Sequence, residues 1–431
     1  VERRPGTPRL LRELNDRAAL ELLLTEGPMT RAQLGERTGL SKVTASQLLS
    51  RLEERGLVEV AGEQAGGRGP NAELYAVVPS SAYVAGLHVE QDVVRAGVAD
   101  VTGRVITEIE VDPNGSDDPV GLVRGAVVTA CGAAGISIDA LRALVIGTPG
   151  VLDPRTGDLR LAVNLPSWHE GVHSALSADL GRPVTIENDV NLAAMAEQAV
   201  GAAAGAEDFV LVWIGVGLGL ATVLGGRLHR GVGGAAGEIG YLPVPGANLP
   251  TDLSHPASGG FQSLVGAQAV LPLAERHGFG GLSAGDAVRA AAEAAAAGAG
   301  GGAAEAAAAG AGGGAAGAGA AGAGGGAAGG GSAAAAREFL DELAGQVAIG
   351  VAAISVVLDP GLVVLGGEVG LAGGTALASR VAEEVGRICP AHPEVRPTGI
   401  DGRPVLRGAI LEAVSRARAE LLASVASLIP A

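Results

Sequence analysis

Between positions 41 and 51 the chain concentrates short hydrogen-bonding side chains and two cations: Ser41, Lys42, Thr44, Ser46, Gln47, Ser50 and Arg51. Hydroxyls and amides of this kind pair with base edges and the cations grip phosphate, which is the chemistry of a helix that reads duplex DNA. Taken alone, the same residues read more simply as a solvated polar face. Lys42 and Thr44, at the start, and Gln47, one turn later, are the candidates for the major groove. Arg68 stands among residues without bulk in Gly66-Gly67-Arg68-Gly69-Pro70. Such an arm can enter a narrow minor groove, where negative potential favours arginine; the plain alternative is a hairpin tip.

The elements that must hold these residues are legible around them. Leu14, Ala18 and Leu22, with Ala19 and Leu23, recur at helical spacing from Arg12 to Thr25, and Gly27-Pro28 stops the helix. A second helix starts with Thr30 as cap and Gln33 at the capping-box position, ending near Thr38-Gly39. A third follows Ser41, packs through Val43, Leu48, Leu49 and Leu52, and ends at Arg55-Gly56. Leu57–Val60, a Gly-rich loop and Glu73–Val77 then make a two-stranded ribbon. Three short helices and a ribbon spell a winged helix-turn-helix over residues 1–80, with Pro79-Ser80-Ser81 as its boundary.

Charge divides the chain at the same point. The 431 residues carry a net charge of -16, yet residues 1–80 hold 11 basic and 11 acidic side chains. The acidity therefore belongs to residues 81–431. A neutral module limits sequence-independent affinity for DNA, so two copies on a pseudo-palindromic operator are expected, in a homodimer or homotetramer. With 48% hydrophobic residues the chain builds ample core, and two cysteines make neither a disulfide framework nor a Cys-rich zinc site. No charged-then-apolar leader and no run of 18 large apolar residues are seen, so the expectation is a cytoplasmic protein without a membrane partner.

From residue 81 onward apolar β-type runs (84–89, 93–98, 143–146, 184–186, 209–214, 221–224, 362–365) alternate with helical segments (119–134, 189–203, 338–357). That alternation predicts an α/β domain with ligand sites at strand ends. Residues 294–336 are Ala or Gly except Glu305 and Ser332. Lacking large side chains to bury, this stretch reads as a low-complexity insertion in a surface loop.

Five strings occur in one order: Gly147-Thr148-Pro149-Gly150, Asn164-Leu165-Pro166-Ser167-Trp168, Glu187-Asn188-Asp189-Val190-Asn191, Gly237-Glu238-Ile239-Gly240-Tyr241 and Val364-Leu365-Gly366-Gly367. With the winged helix before them, they resemble the ROK family of repressors, open reading frames and kinases. The resemblance covers essentially the whole chain outside the Ala/Gly tract. It implies an actin/hexokinase-like (ribonuclease H-like) two-lobed domain with sugar hydroxyls held by Asn188, Asp189 and Glu238, and by Tyr241 and Gln262 where the kinases have His and Glu. Gly150 would line the cleft by its backbone, and Asn164 would add an amide. Asp189 matches the kinases' general base. Alone, an Asn-Asp pair before a helix is an N-cap; inside the ordered set it reads as ligand contact.

Departures from the family pattern point away from catalysis. Where the kinases have D-x-G-x-T, this chain has His88, Glu90, Gln91 and Asp92, two carboxylates where a polyanionic nucleotide would lie. Gly215-Val216-Gly217-Leu218-Gly219 keeps the glycines of the second phosphate string, which equally make a tight turn. Between Tyr241 and Gln262 no cysteine remains and His255 stands alone, so neither zinc nor any cofactor is expected. The expectation is a transcriptional regulator, most simply a repressor, that binds double-stranded operator DNA and answers to a sugar or sugar derivative without phosphorylating it. The alternatives are an ATP-dependent sugar kinase with an appended DNA module, and a constitutive DNA-binding protein whose α/β domain only dimerises.

Overall fold

A computed structural model describes residues 8–65, 71–161, 165, 167, 168, 171–253, 256–309 and 331–426, with the backbone alone for 8, 9 and 299–309. Arg68, Asn164 and His255 lie outside the described residues.

The N-terminal module runs α1 (Pro8–Glu26), β1 (Met29–Thr30), α2 (Arg31–Thr38), α3 (Lys42–Glu54), β2 (Val58–Gln64) and β3 (Ala72–Val77). Its junctions form for local reasons. The Thr30 side chain accepts the Gln33 amide and the Gln33 side chain accepts that of Thr30, so both ends of the capping box close. Gly39 ends α2 in the left-handed conformation, and the Ser41 hydroxyl caps α3 by accepting from the Thr44 amide at 3.2 Å. Leu34, Leu48, Leu49 and Leu52 are buried in one cluster with Ala19, Leu20 and Leu23, and Ala45 is buried as well. The ribbon is antiparallel, and β1, too short to be seen in the sequence, adds a third strand beside β3. Val43 departs from expectation: it is 67% exposed, outside the packed face of α3.

A turn at Pro79–Ser81 leads into the first lobe: β4 (Tyr83–Val89), β5 (Val94–Asp100), β6 (Val105–Val111), α4 (Pro119–Ala134), β7 (Leu141–Thr148), β8 (Val151–Leu152), β9 (Leu159–Leu161), α5 (Val172–Asp179), β10 (Val184–Asn188) and α6 (Asp189–Val200). Five strands order as β10-β7-β4-β5-β6, parallel across the first three and antiparallel beyond. The second lobe has β11 (Phe209–Ile214), β12 (Leu218–Leu224), β13 (Arg227–Leu228), α7 (Gln262–Val265), α8 (Ala267–Arg276), α9 (Ala284–Ala309), α10 (Ala333–Leu358), β14 (Leu362–Gly366), α11 (Gly367–Ile388) and β15 (Glu394–Pro397). Its sheet orders as β13-β12-β11-β14-β15. The final helix, α12 (Pro404–Ala426), returns to pack on α6, β4, β7 and α1.

The surface-loop reading of 294–336 is corrected at both ends. Helices α9 and α10 enter the stretch from either side, Ser332 caps α10, and Ala295 and Ala336 are buried. Alanine is the strongest helix former, and its small side chain lets neighbouring helices approach closely. Helix α10 is long and apolar enough to cross a membrane by composition, but 56% of its most apolar window is buried, against α9 and α11 among others, as in a core helix.

Candidate functional site

A cleft of about 670 Å³ opens where β4, β10 and α6 of the first lobe meet the β11–β12 turn and the 234–241 segment of the second. Gly150, Asn188, Asp189, Glu238, Tyr241 and Gln262 all line it. They do different work. Asn188 caps α6, its side-chain oxygen accepting from the Asn191 amide at 3.1 Å while its nitrogen donates to the Gly150 carbonyl at 3.2 Å. The capping interpretation thus holds for Asn188, and the cap ties the Gly150 turn to the helix. Gly150 has φ +121 and an added Cβ would overlap the Leu161 carbonyl, so only glycine fits.

Asp189 follows at the first helical position, with one carboxylate oxygen accepting the Val190 amide at 2.8 Å. Burial lifts its pKa to about 6 against the lowering effect of that amide. Glu238 makes no side-chain hydrogen bond with a described residue, and burial followed by repulsion from Asp189 pushes it to about 7. Two carboxylates with unused acceptor capacity therefore face one cleft, which suits vicinal hydroxyl donors.

Tyr241 and Gln262 brace the walls. The Tyr241 hydroxyl donates to the Leu253 carbonyl at 2.7 Å. Gln262, 6% exposed, donates to the Val216 carbonyl at 2.9 Å and accepts from the Leu218 amide at 2.8 Å, pinning the Gly215–Gly219 turn. That turn closes the β11–β12 hairpin, Gly215 donating to the Gly217 carbonyl. Glu187 went unassigned in the sequence although it stands in the same string. It is buried, binds Arg230 at 2.7 Å and accepts from the Asn191 side chain at 2.9 Å, joining the two lobes beside the cleft.

Into the same cleft the β4–β5 hairpin presents Glu90, Gln91 and Asp92, with Glu90 near enough to help raise the pKa of Asp189. Arg95 lies there too, but it is held by Glu90 and by Glu110 at 3.0 Å, leaving little for an anionic ligand. His88 is buried, and burial brings its pKa down to about 4, so it is neutral at pH 7. Glu368 enters from α11, raised by burial and by Asp286. The β4–β5 hairpin does not fit a magnesium nucleotide: among the described residues the one arginine lining this cleft is paired, and no glycine stands at 90–92 for close phosphate approach. Among the described residues no three His, Cys, Asp or Glu side chains converge as metal ligands.

On α3, Ser41, Lys42, Gln47 and Ser50 are exposed and Thr44 and Ser46 half-buried. Ser41 is occupied as the helix cap, its hydroxyl also 2.9 Å from that of Thr44, and Ser46 lies 3.5 Å from Arg31. Arg51 is drawn inward, making two hydrogen bonds to Asp16 of α1, at 3.1 and 2.5 Å. Asp16 is buried, so this pair fixes α3 against α1.

Comparison with known proteins agrees with this architecture. Residues 84–268 match the ROK family and residues 13–69 the MarR family. A xylose repressor of Caldicellulosiruptor bescii is 26% identical over 244 residues, 56% of this chain and 61% of that protein. The chain thus matches about three-fifths of the length of this curated relative. A solved ROK family transcriptional regulator, described as a homologue of the E. coli MLC protein, superposes with a TM-score of 0.68 at 15% identity, over 97% of this chain and 99% of that one. A ROK hexokinase from Thermus thermophilus gives 0.55 at 27% identity, over 76% and 97%. The chain carries a ROK family domain on the kinase-like two-lobed fold, preceded by a MarR-type winged helix.

Proposed function

We propose that this chain is a DNA-binding transcriptional regulator, a repressor of carbohydrate-related genes, governed by an unphosphorylated sugar bound between its lobes. It acts in the cytoplasm as a homodimer or homotetramer on pseudo-palindromic duplex operator DNA. The observation that carries the reading is the cleft: Asp189 and Glu238 offer unused acceptors, while Glu90 and Asp92 line the same cleft on the hairpin where the resemblance to kinases would put a nucleotide. Sugar hydroxyls satisfy the first pair, and a phosphate group would meet the Asp92 carboxylate beside an Arg95 already shared between Glu90 and Glu110. Lys42, Thr44 and Gln47 are the base and phosphate contacts on α3, Ser41 and Arg51 hold that helix in place, and Arg68 is the residue assigned to the minor groove. The sugar selects one arrangement of the lobes, and a differential affinity of about 1–3 kcal/mol suffices to alter DNA binding. Thermal denaturation against a panel of free and 6-phosphorylated sugars tests this. A free sugar should raise the midpoint and its phosphate should not; no shift with any free sugar would leave the domain as a dimerisation unit only.

A second reading, an ATP-dependent sugar kinase, has one observation in its favour. Asp189 sits at the α6 terminus with its pKa lifted to about 6, as suits a general base. An ADP-release assay with the same sugars decides between them, since turnover lost in Asp189→Asn would make the chain an enzyme.

A further inference from the structure

The outward stripe of α3 contains one residue that is neither polar nor packed. Val43 stands at the second helical position, 67% exposed, while Ala45, Leu48, Leu49 and Leu52 take the buried side. Positions 43, 46, 47 and 50 share one face, so Val43 points the same way as Ser46, Gln47 and Ser50. A β-branched residue is a poor helix former, and here it gains little burial from the fold to offset that. In the major groove the one apolar feature on the base edges is the C5-methyl of thymine.

We propose that Val43 is a specificity residue of the DNA-reading helix, packing its two methyls on the C5-methyl of a thymine in the operator. This rests on the DNA-binding reading above. Gln47, one turn on, is displaced by about 6 Å along the helix, close to two base-pair steps, so it meets a different pair, with adenine N6 and N7 as its matching partner. Arg51, committed to Asp16, makes no base contact. The module then selects an A/T-rich half-site through shape-matched methyls and one amide rather than through an arginine on guanine.

The test uses duplexes enriched from a random pool by the full-length chain, with each recurrent thymine replaced in turn by deoxyuracil. At one symmetry-related pair of positions the loss of the methyl should weaken binding about three- to tenfold. Val43→Ala should bind the thymine and uracil duplexes equally, and Val43→Ile should keep the discrimination. Indifference of the native chain to uracil at every position, or undiminished discrimination by Val43→Ala, would overturn the assignment. A pool that yields no enriched sequence removes the DNA-reading itself, a distinct failure.

Discussion

The protonation of Glu238 makes the cleft sensitive to pH. Its pKa rises from an ordinary 4.5 to about 7, chiefly by burial, so the folded chain holds a proton that the unfolded chain releases. The stabilisation from this group is complete below the unfolded value and is lost as pH climbs through 7. Glu238→Gln, which never carries the charge, should therefore raise the melting temperature at pH 8 by roughly 1–3 °C and leave it unchanged at pH 4.5. A gain of equal size at both pH values would show that charge burial is not the cause. Bound hydroxyls favour the ionised acceptors, so sugar binding at pH 6.5 should release protons. Calorimetry in buffers of differing ionisation enthalpy reads that release directly. Gln262, expected to touch ligand, lines the cleft and also fastens the Gly215–Gly219 turn. Gln262→Leu should lower stability by about 1–3 kcal/mol, because it leaves the Leu218 amide buried without a partner.

Elements were legible where a local rule fixed them. The Thr30–Gln33 capping box, the Ser41 cap, α4 and β11 follow from residues within a few positions of one another. The short strands β8, β9 and β15 were not, because each exists only by pairing with a distant or irregular neighbour. Helix α12 was also missed: apolar side chains are spread around it because it packs on α1, α6, β4 and β7 at once. At the site, family spacing found the cleft-lining residues, while the Glu187–Arg230 link required the lobes to be folded together. Close packing of α12 on α6 depends on Gly408, where an added Cβ would overlap the Leu192 carbonyl. Gly408→Ala must push α12 from the helix that carries Asp189. The expected cost is about 1–3 kcal/mol in denaturant unfolding, together with weaker sugar binding, and sugar affinity unchanged despite lost stability would separate the two roles.

At the scale of the molecule, the winged helix and the first lobe share one continuous hydrophobic cluster, from Leu20, Leu48 and Leu52 through Val84 and Leu192 to Leu406 and Val425. Helix α12 bridges it, touching α6 at the cleft and α1 beside the DNA-reading helix, while Arg55 donates to the Ser424 carbonyl at 3.3 Å. Any lobe movement that shifts α6 therefore displaces α12, and through it the setting of α1 and α3. Packed cores respond to such shifts as alternative arrangements rather than by smooth deformation, and under the proposed function this is the lever by which a sugar would alter DNA affinity. Val425, 1% exposed near the end of this helix, is buried in that cluster and is none of the proposed contact residues. Val425→Ala should cost about 1–2 kcal/mol of stability, leave sugar binding and the affinity for free operator close to native, and shrink the sugar's effect on operator affinity. Titrating labelled operator with and without saturating sugar measures that effect as a ratio of dissociation constants. An undiminished ratio in Val425→Ala would mean that the signal passes through the 79–81 turn rather than through α12.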